Sequence, residues 1–148
     1  MARSGTSRPG SASSVRVVCL CLNLQRAARA TARRFDEAFR PLGLTSGQFS
    51  LLTAIDRSSS PTIGRIASVL AMDRTTLTAN LKPLERRGLV AVTIDEADRR
   101  SRRLALTREG RSLFGTAVPV WKRTHAAVES LIGTAEAARL RDDLLALS

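Results

Sequence analysis

Between residues 62 and 111 the hydrophobic period of this chain switches from helical to strand-like and back. That switch limits the fold more than any other feature. The stretch reads TIGRIASVLAMDRTTLTANLKPLERRGLVAVTIDEADRRSRRLALTREGR. Ile63, Ile66, Ala67 and Leu70 recur at helical steps, so a short helix buries one face. A break at Ala71-Met72 follows, and Asp73 is placed to cap a second helix by accepting from the N–H of Thr75 or Thr76. Leu77, Leu81 and Leu84 form its inward stripe, which leaves Arg74, Thr75, Thr78, Ala79, Asn80 and Lys82 outward or at the leading end. Helices joined by so short a break predict a helix-turn-helix. Arg86 and Arg87 complement the carbonyl end of the second helix, and Gly88 suits the residue after it. Val90, Val92 and Ile94 then alternate with Ala91 and Thr93, a charged turn spans 95–103, and Leu104 and Leu106 resume the alternation. The expected element is a β-hairpin with arginines at its tip.

The formal charge of the whole chain is +11, which suits a polyanionic partner. Its distribution says more than its size. Residues 1–61 hold 9 basic and 3 acidic side chains, 62–111 hold 11 and 6, and 112–148 hold 4 of each. The cations therefore belong to the helix-turn-helix block and the region before it. A generally basic surface, arginine-rich through composition bias, does not explain a neutral final third.

Other segments complete the outline. Residues 1–14 are rich in Arg, Ser and Gly and predict a disordered tail, with Arg3 and Arg8 able to graze phosphates. Residues 15–40 predict one long amphipathic helix, ended by Pro41. Thr45 and Gln48 have the spacing of a capping box, opening a helix that turns Phe49, Leu52 and Ile55 inward. Thr107 or a neighbour begins a helix towards Leu131 that Pro119 should kink. Gly133 breaks it, and Thr134 is placed to cap a last helix with Leu140, Leu144, Leu145 and Leu147. So leucine-rich an end is poorly buried in a monomer.

DRTTLTANLKPLERRGLV (73–90) and DEADRRSRRLALTREGR (95–111) together resemble the winged-helix core of the MarR family of transcriptional regulators. GLTSGQFSLL (43–52) is similar to the family's second helix, which extends the resemblance to about 15–111. The resemblance implies a mostly α fold with a small β-hairpin wing, and N- and C-terminal dimerisation helices around a winged helix-turn-helix domain. The expected division is tail 1–14, linking helix 15–40, DNA-binding domain 41–111 and dimerisation helices 112–148. It implies a cytoplasmic homodimer that reads a pseudo-palindrome in double-stranded DNA, a repressor rather than an enzyme, without cofactor or metal.

An α-helix fits the major groove, where Arg pairs with guanine, Asn with adenine, and Thr offers a hydroxyl or a methyl contact. Arg74, Thr75, Thr76, Thr78 and Asn80 are the candidate readers, and Lys82 a phosphate contact. Arg99, Arg100, Arg102 and Arg103 form the candidate wing contact, since narrow minor grooves attract arginine. Within Asp98-Arg99-Arg100 the resemblance favours Arg100 for insertion, with Asp98 orienting an arginine by a charge-assisted bond.

The family's small aromatic effectors often lodge between the dimer helices and the winged domain. Arg29, Phe35, Phe39, Trp121 and His125 are the candidates to line such a crevice, although aromatics at helical spacing are more often simple core. Some members sense hydroperoxides through a cysteine near the start of the first helix, which draws attention to Cys19 and Cys21. Two features oppose that reading. The chain has no tyrosine, which the hydroperoxide-sensing branch places beside its cysteine, and residues i and i+2 diverge on a helix.

Other classes fare worse. One histidine, two closely spaced cysteines and no glycine-rich phosphate loop leave no metal site or catalytic triad to assemble. No apolar run is long enough to cross a membrane, and Arg16 and Asn23 interrupt the stretch that could pass for a signal sequence. A non-specific architectural DNA-binding protein remains the rival that the charge permits.

Overall fold

The computed structural model describes residues 16–147; the expected tail over 1–14 lies outside them. In chain order the elements are α1 (Leu20–Phe39), a 3-10 turn (Arg40–Leu42), α2 (Ser46–Asp56), α3 (Ile63–Val69), α4 (Arg74–Arg86), β1 (Val90–Ile94), β2 (Arg102–Leu106), α5 (Arg108–Glu129) and α6 (Thr134–Leu145). The two strands form one antiparallel hairpin with Val90 opposite Leu106 and Ile94 opposite Arg102. The architecture is the expected one: mostly helical, with a two-stranded wing. Among the described residues no helix is long and apolar enough to cross a membrane.

The core is centred on α2, which touches α1, α3, α4, α5 and β2. Gln48, Phe49, Leu51, Leu52, Ala54 and Ile55 are all buried, so α2 has no single inward stripe. Against it pack Phe39 of α1, Ile66 of α3, Leu77 and Leu84 of α4, and Leu104 of β2, each with almost no exposed surface. The capping box is present: Gln48 N–H donates to Thr45 Oγ1 at 3.2 Å, and Thr45 N–H to Gln48 Oε1 at 3.1 Å. Asp36 of α1 also accepts from the Ser46 N–H at 2.6 Å, tying α1 to the start of α2.

Two local expectations change. The helix expected over 15–40 is interrupted at Cys19, whose extended backbone (ψ 106°) makes it the N-cap of α1, its sulfur accepting from the Leu22 N–H at 3.4 Å. The last helix is not capped by Thr134, which is already helical. Gly133, at φ +91°, is the cap, because the chain reverses there after Glu129 accepts its N–H at 3.0 Å. Helix α5 is continuous through Pro119. Between α3 and α4, Ala71 takes a left-handed φ of +48°, a conformation unusual for a residue with a Cβ, and this makes the helix-turn-helix bend abrupt.

The hairpin is joined to α5 at a very close approach. Thr107 N–H donates to the Leu89 carbonyl at 3.1 Å, Thr107 Oγ1 donates to the Gly88 carbonyl at 2.6 Å, and the same hydroxyl caps α5 by accepting from Gly110 N–H at 3.0 Å. A Cβ on Gly110 would lie 2.0 Å from the Leu89 carbonyl oxygen, so only glycine allows α5 to seat there. Gly115, one turn on, meets nothing within 4 Å. Gly110→Ala is therefore expected to destabilise the fold by about 1–3 kcal/mol or more, and Gly115→Ala to stabilise it by up to about 1 kcal/mol. Thermal midpoints should move in opposite directions, by roughly 2–4 °C per kcal/mol; equal shifts would refute the assigned contact.

Candidate nucleic-acid interface

Helix α4 presents its leading end because its leucine stripe is fully committed inward. Asp73 caps it, accepting from Thr76 N–H at 2.8 Å and from Thr76 Oγ1 at 2.7 Å. These bonds from Thr76, backbone first, hold the Asp73 carboxyl below the usual carboxylate range. Thr76 is thus engaged in the cap, although exposed. Thr78 is half-buried and donates to its own helix at the Arg74 carbonyl, 2.7 Å away. Arg74, Thr75 and Lys82 are exposed.

Asn80 stands apart from the other candidate readers. Its amide donates to the Thr76 carbonyl at 3.0 Å, and its side chain lies against Gly47 of α2, where a Cβ would meet Asn80 Oδ1 at 2.8 Å. It is half-buried between helices rather than offered outward. Helical spacing alone does not distinguish such a flank position from an open one.

The hairpin loop is built by its two aspartates. Asp95 is 6% exposed. It accepts from Arg103 Nη2 at 3.0 Å and from the Ala97 N–H at 3.1 Å, and the Arg103 guanidinium beside it holds its carboxyl below the usual range. Arg103 Nη1 also donates to the Ser60 carbonyl at 2.8 Å, and the Leu104 N–H to that of Pro61 at 2.9 Å. Arg103 therefore clamps the wing to the loop before α3. This corrects one expectation: Asp95, not Asp98, orients an arginine side chain. Asp98 Oδ1 instead accepts from the Arg100 backbone N–H at 3.0 Å, closing the turn at the tip. Arg102 folds back onto the Arg99 and Ser101 carbonyls at 3.1 and 3.3 Å. Arg99 and Arg100 are exposed at the tip.

Of the residues expected to line a crevice, Phe35, Phe39, Trp121 and His125 join one series of ring contacts through Phe49, whereas Arg29 stands apart. Phe39 is fully buried in the core, and Arg29 lies on an exposed face of α1 beside Arg26 and Arg33. His125 stacks on Trp121, with centroids 4.7 Å apart, and pairs with Glu129 at 3.2 Å. An open cleft of about 730 Å³ does exist between α2, α3 and α5. Of the five expected residues only Trp121 lines it; Phe49, Phe114, Val118, Leu70 and Arg57 are among the others. Phe49 reads from sequence as core, because it occupies an inward position that the cleft happens to reach.

Among the described residues, no group of His, Cys, Asp and Glu side chains is placed to hold a metal ion. Cys19 is half-buried, Cys21 is exposed, and both are free thiols.

Comparisons with known proteins bear on this arrangement. The family model for the MarR family matches residues 44–101. The transcriptional activatory protein BadR of Rhodopseudomonas palustris is 34% identical over 98 residues, 64% of this chain and 56% of BadR. The match thus spans little more than half of that relative. Among solved structures, the transcriptional regulator MosR of M. tuberculosis, in complex with DNA, is 40% identical, with a TM-score of 0.78 over 87% of this chain and 92% of that one. The repressor CouR of Rhodococcus jostii, bound to a 23-mer DNA duplex, is 28% identical, with a TM-score of 0.80 over 94% and 99%. From the capped recognition helix, the aspartate-built wing and this likeness along nearly the whole of MosR, the chain belongs to the MarR family of transcriptional regulators.

Proposed function

We propose that this protein is a sequence-specific DNA-binding repressor that reads a pseudo-palindromic operator as a homodimer. One observation carries the reading. The leading end of α4 and the tip of the wing both present exposed arginines, Arg74 on one and Arg99 and Arg100 on the other, from a single braced body. Arg74 and Thr75 are assigned to base edges in the major groove, Lys82 to phosphate, and Arg100 to the adjacent minor groove. Thr76, Thr78 and Asn80 hold the helix in shape for them, and Arg103 does so for the wing.

The pairing surface is assigned to the ends of the chain. Leu20 on α1, Leu131 and Ile132 after α5, and Leu140, Leu144, Leu145 and Leu147 on and after α6 are all exposed large apolar side chains. Helix α6 buries only Ala137 within its own chain. A symmetric partner would cover these side chains and set two recognition helices about 34–36 Å apart, one turn of DNA.

A small effector is assigned to the cleft between α2, α3 and α5, with Trp121, Phe49 and Phe114 for an apolar ring and Arg57 for an anionic group. Such a ligand releases DNA only if it binds the two arrangements of the dimer unequally.

A second reading, redox control, draws support from one feature. Cys19 lies in extended backbone outside the helix, so the divergence of i and i+2 side chains on a helix does not apply to Cys19 and Cys21. A hydroperoxide would take both thiols to a disulfide, itself becoming an alcohol and water. Mass spectrometry after peroxide treatment decides this: two hydrogens lost and weaker operator binding are expected, and unmodified cysteines with unchanged affinity would end it.

The main reading has its own tests. Deleting residues 134–148 should give monomers with near non-specific affinity by sedimentation and gel shift; a truncated dimer that still prefers its operator would refute the assignment. Arg100→Ala should weaken operator binding and reduce the slope of log affinity against log salt by up to about 1 per wing. Asp95→Asn removes no cation, so it should weaken operator binding through a loosened wing without lowering that slope. Because the Asp95 carboxyl is held low, its bracing is complete above about pH 4 and is lost as pH falls through the lowered value. The thermal midpoint of Asp95→Asn should therefore vary less than wild type across that acid limb. A ratio of operator to random-duplex affinity near unity at fixed salt would favour an architectural protein instead.

A further inference from the structure

Helix α4 is held on one face by Leu77, Leu81 and Leu84, all buried. Polar contacts at its far end hold it as well. Arg87, the C-cap, follows the last helical residue, and its backbone N–H donates to the Pro83 carbonyl at 3.1 Å. Its side chain then reaches across to the junction between α1 and α2. Nη1 donates to the Gly43 carbonyl at 2.6 Å and Nη2 to the Leu42 carbonyl at 3.1 Å. Gly43 has a left-handed φ of +64°, and a Cβ there would stand 3.4 to 3.6 Å from the guanidinium atoms. The planar group therefore lies over the bare face of this glycine. On the other side of the same junction Asp36 of α1 accepts from the Ser46 N–H at 2.6 Å. The elbow is held from α1 by a carboxylate and from α4 by a guanidinium.

We propose that Arg87 is a positioning residue that sets the angle of the recognition helix α4 against α1, and through it the spacing of paired recognition helices on DNA. The inference rests on the DNA-binding reading above. The lever arm gives it consequence. Thirteen residues make α4 about 20 Å long, so a pivot of about 5° at the Arg87 end displaces the Arg74 end by about 1.7 Å. Hydrogen bonds to base edges tolerate roughly 0.5 Å. Both fork nitrogens are used, a geometry that lysine cannot reproduce. Arg87 is itself exposed, which limits its effect on stability.

The alternative role for a surface arginine near the recognition helix is a phosphate contact, and salt separates the two. The wild-type protein is used to select an operator from a randomised duplex library, and binding is then measured on that operator, on versions with the half-sites one base pair closer or further apart, and on a random duplex. Arg87→Ala is expected to lose about tenfold on the operator, within the range of coupling that contiguous networks carry, and to discriminate poorly between spacings. Its random-duplex affinity, salt slope and thermal midpoint should stay close to wild type. Arg87→Lys, able to reach one carbonyl, should fall between the two. Wild-type operator affinity and spacing preference in Arg87→Ala overturn the proposal, as does an equal loss on both duplexes with a salt slope lower by about 1, the mark of a phosphate contact. If Arg87→Ala does not fold, an Arg87→Lys protein indistinguishable from wild type overturns it. A wild-type protein that enriches no sequence overturns the DNA-binding reading and this one with it, whereas enrichment by wild type with unaffected variants overturns this one alone.

Discussion

The backbone contact between Gly110 and the Leu89 carbonyl decides how the two halves of the molecule meet. Leu89 closes the turn that follows the recognition helix, and Gly110 sits in the first turn of α5. With no Cβ between them, the helix rises directly off the base of the wing. Thr107 makes the junction rigid by serving three partners: Leu89 and Gly88 as donor, and Gly110 as acceptor. Everything that α5 carries depends on that seat: the Phe114 and Trp121 walls of the cleft, the buried Ala117, and the turn into α6.

Charge alone gives a misleading picture of the surface. The 62–111 block holds eleven basic residues, yet they do different work. Arg103 is engaged by Asp95 and Ser60, Arg87 by Leu42 and Gly43, and Arg102 by the carbonyls of its own turn. A guanidinium donating to buried or backbone acceptors acts as a strut, because its planar fork fixes direction as well as distance. The exposed cations Arg74, Lys82, Arg99 and Arg100 then owe their placement to those struts.

Much of this was legible in the sequence, for a definable reason. Caps, periodicity and glycine turns are local, so Thr45, Asp73, Thr107 and Gly88 occupy the positions that their neighbours dictate. What failed was non-local. Arg103 and its acceptor at Ser60 are 43 residues apart, Arg87 and Gly43 are 44 apart, and no spacing rule connects them. The contact between Asn80 and Gly47 is hidden for the same reason, since Gly47 belongs to another helix. The aromatic residues divide for a different reason. Amphipathic periodicity identifies an inward face but not whether that face meets packed core, as at Phe39, or open space, as at Trp121.

The ring contacts add a constraint on how the cleft can communicate. Phe35, Phe39, Phe49, Trp121 and His125 form a continuous series with centroid separations between 4.7 and 6.4 Å. It runs from α1 through the core helix α2 to α5. Beyond it, Glu129 is shared by His125 and by Arg141 of α6. Close-packed interiors do not deform gradually, so a ligand wedged against Trp121 either leaves this series intact or displaces it as a unit. Phe39, with no exposed surface, and Arg87, across the same α1–α2 elbow, oppose displacement at the α1 end. The more yielding end is α6, which buries only Ala137 and is tied through an exposed arginine. Any displacement started in the cleft therefore meets less resistance towards the apolar chain end than towards α4.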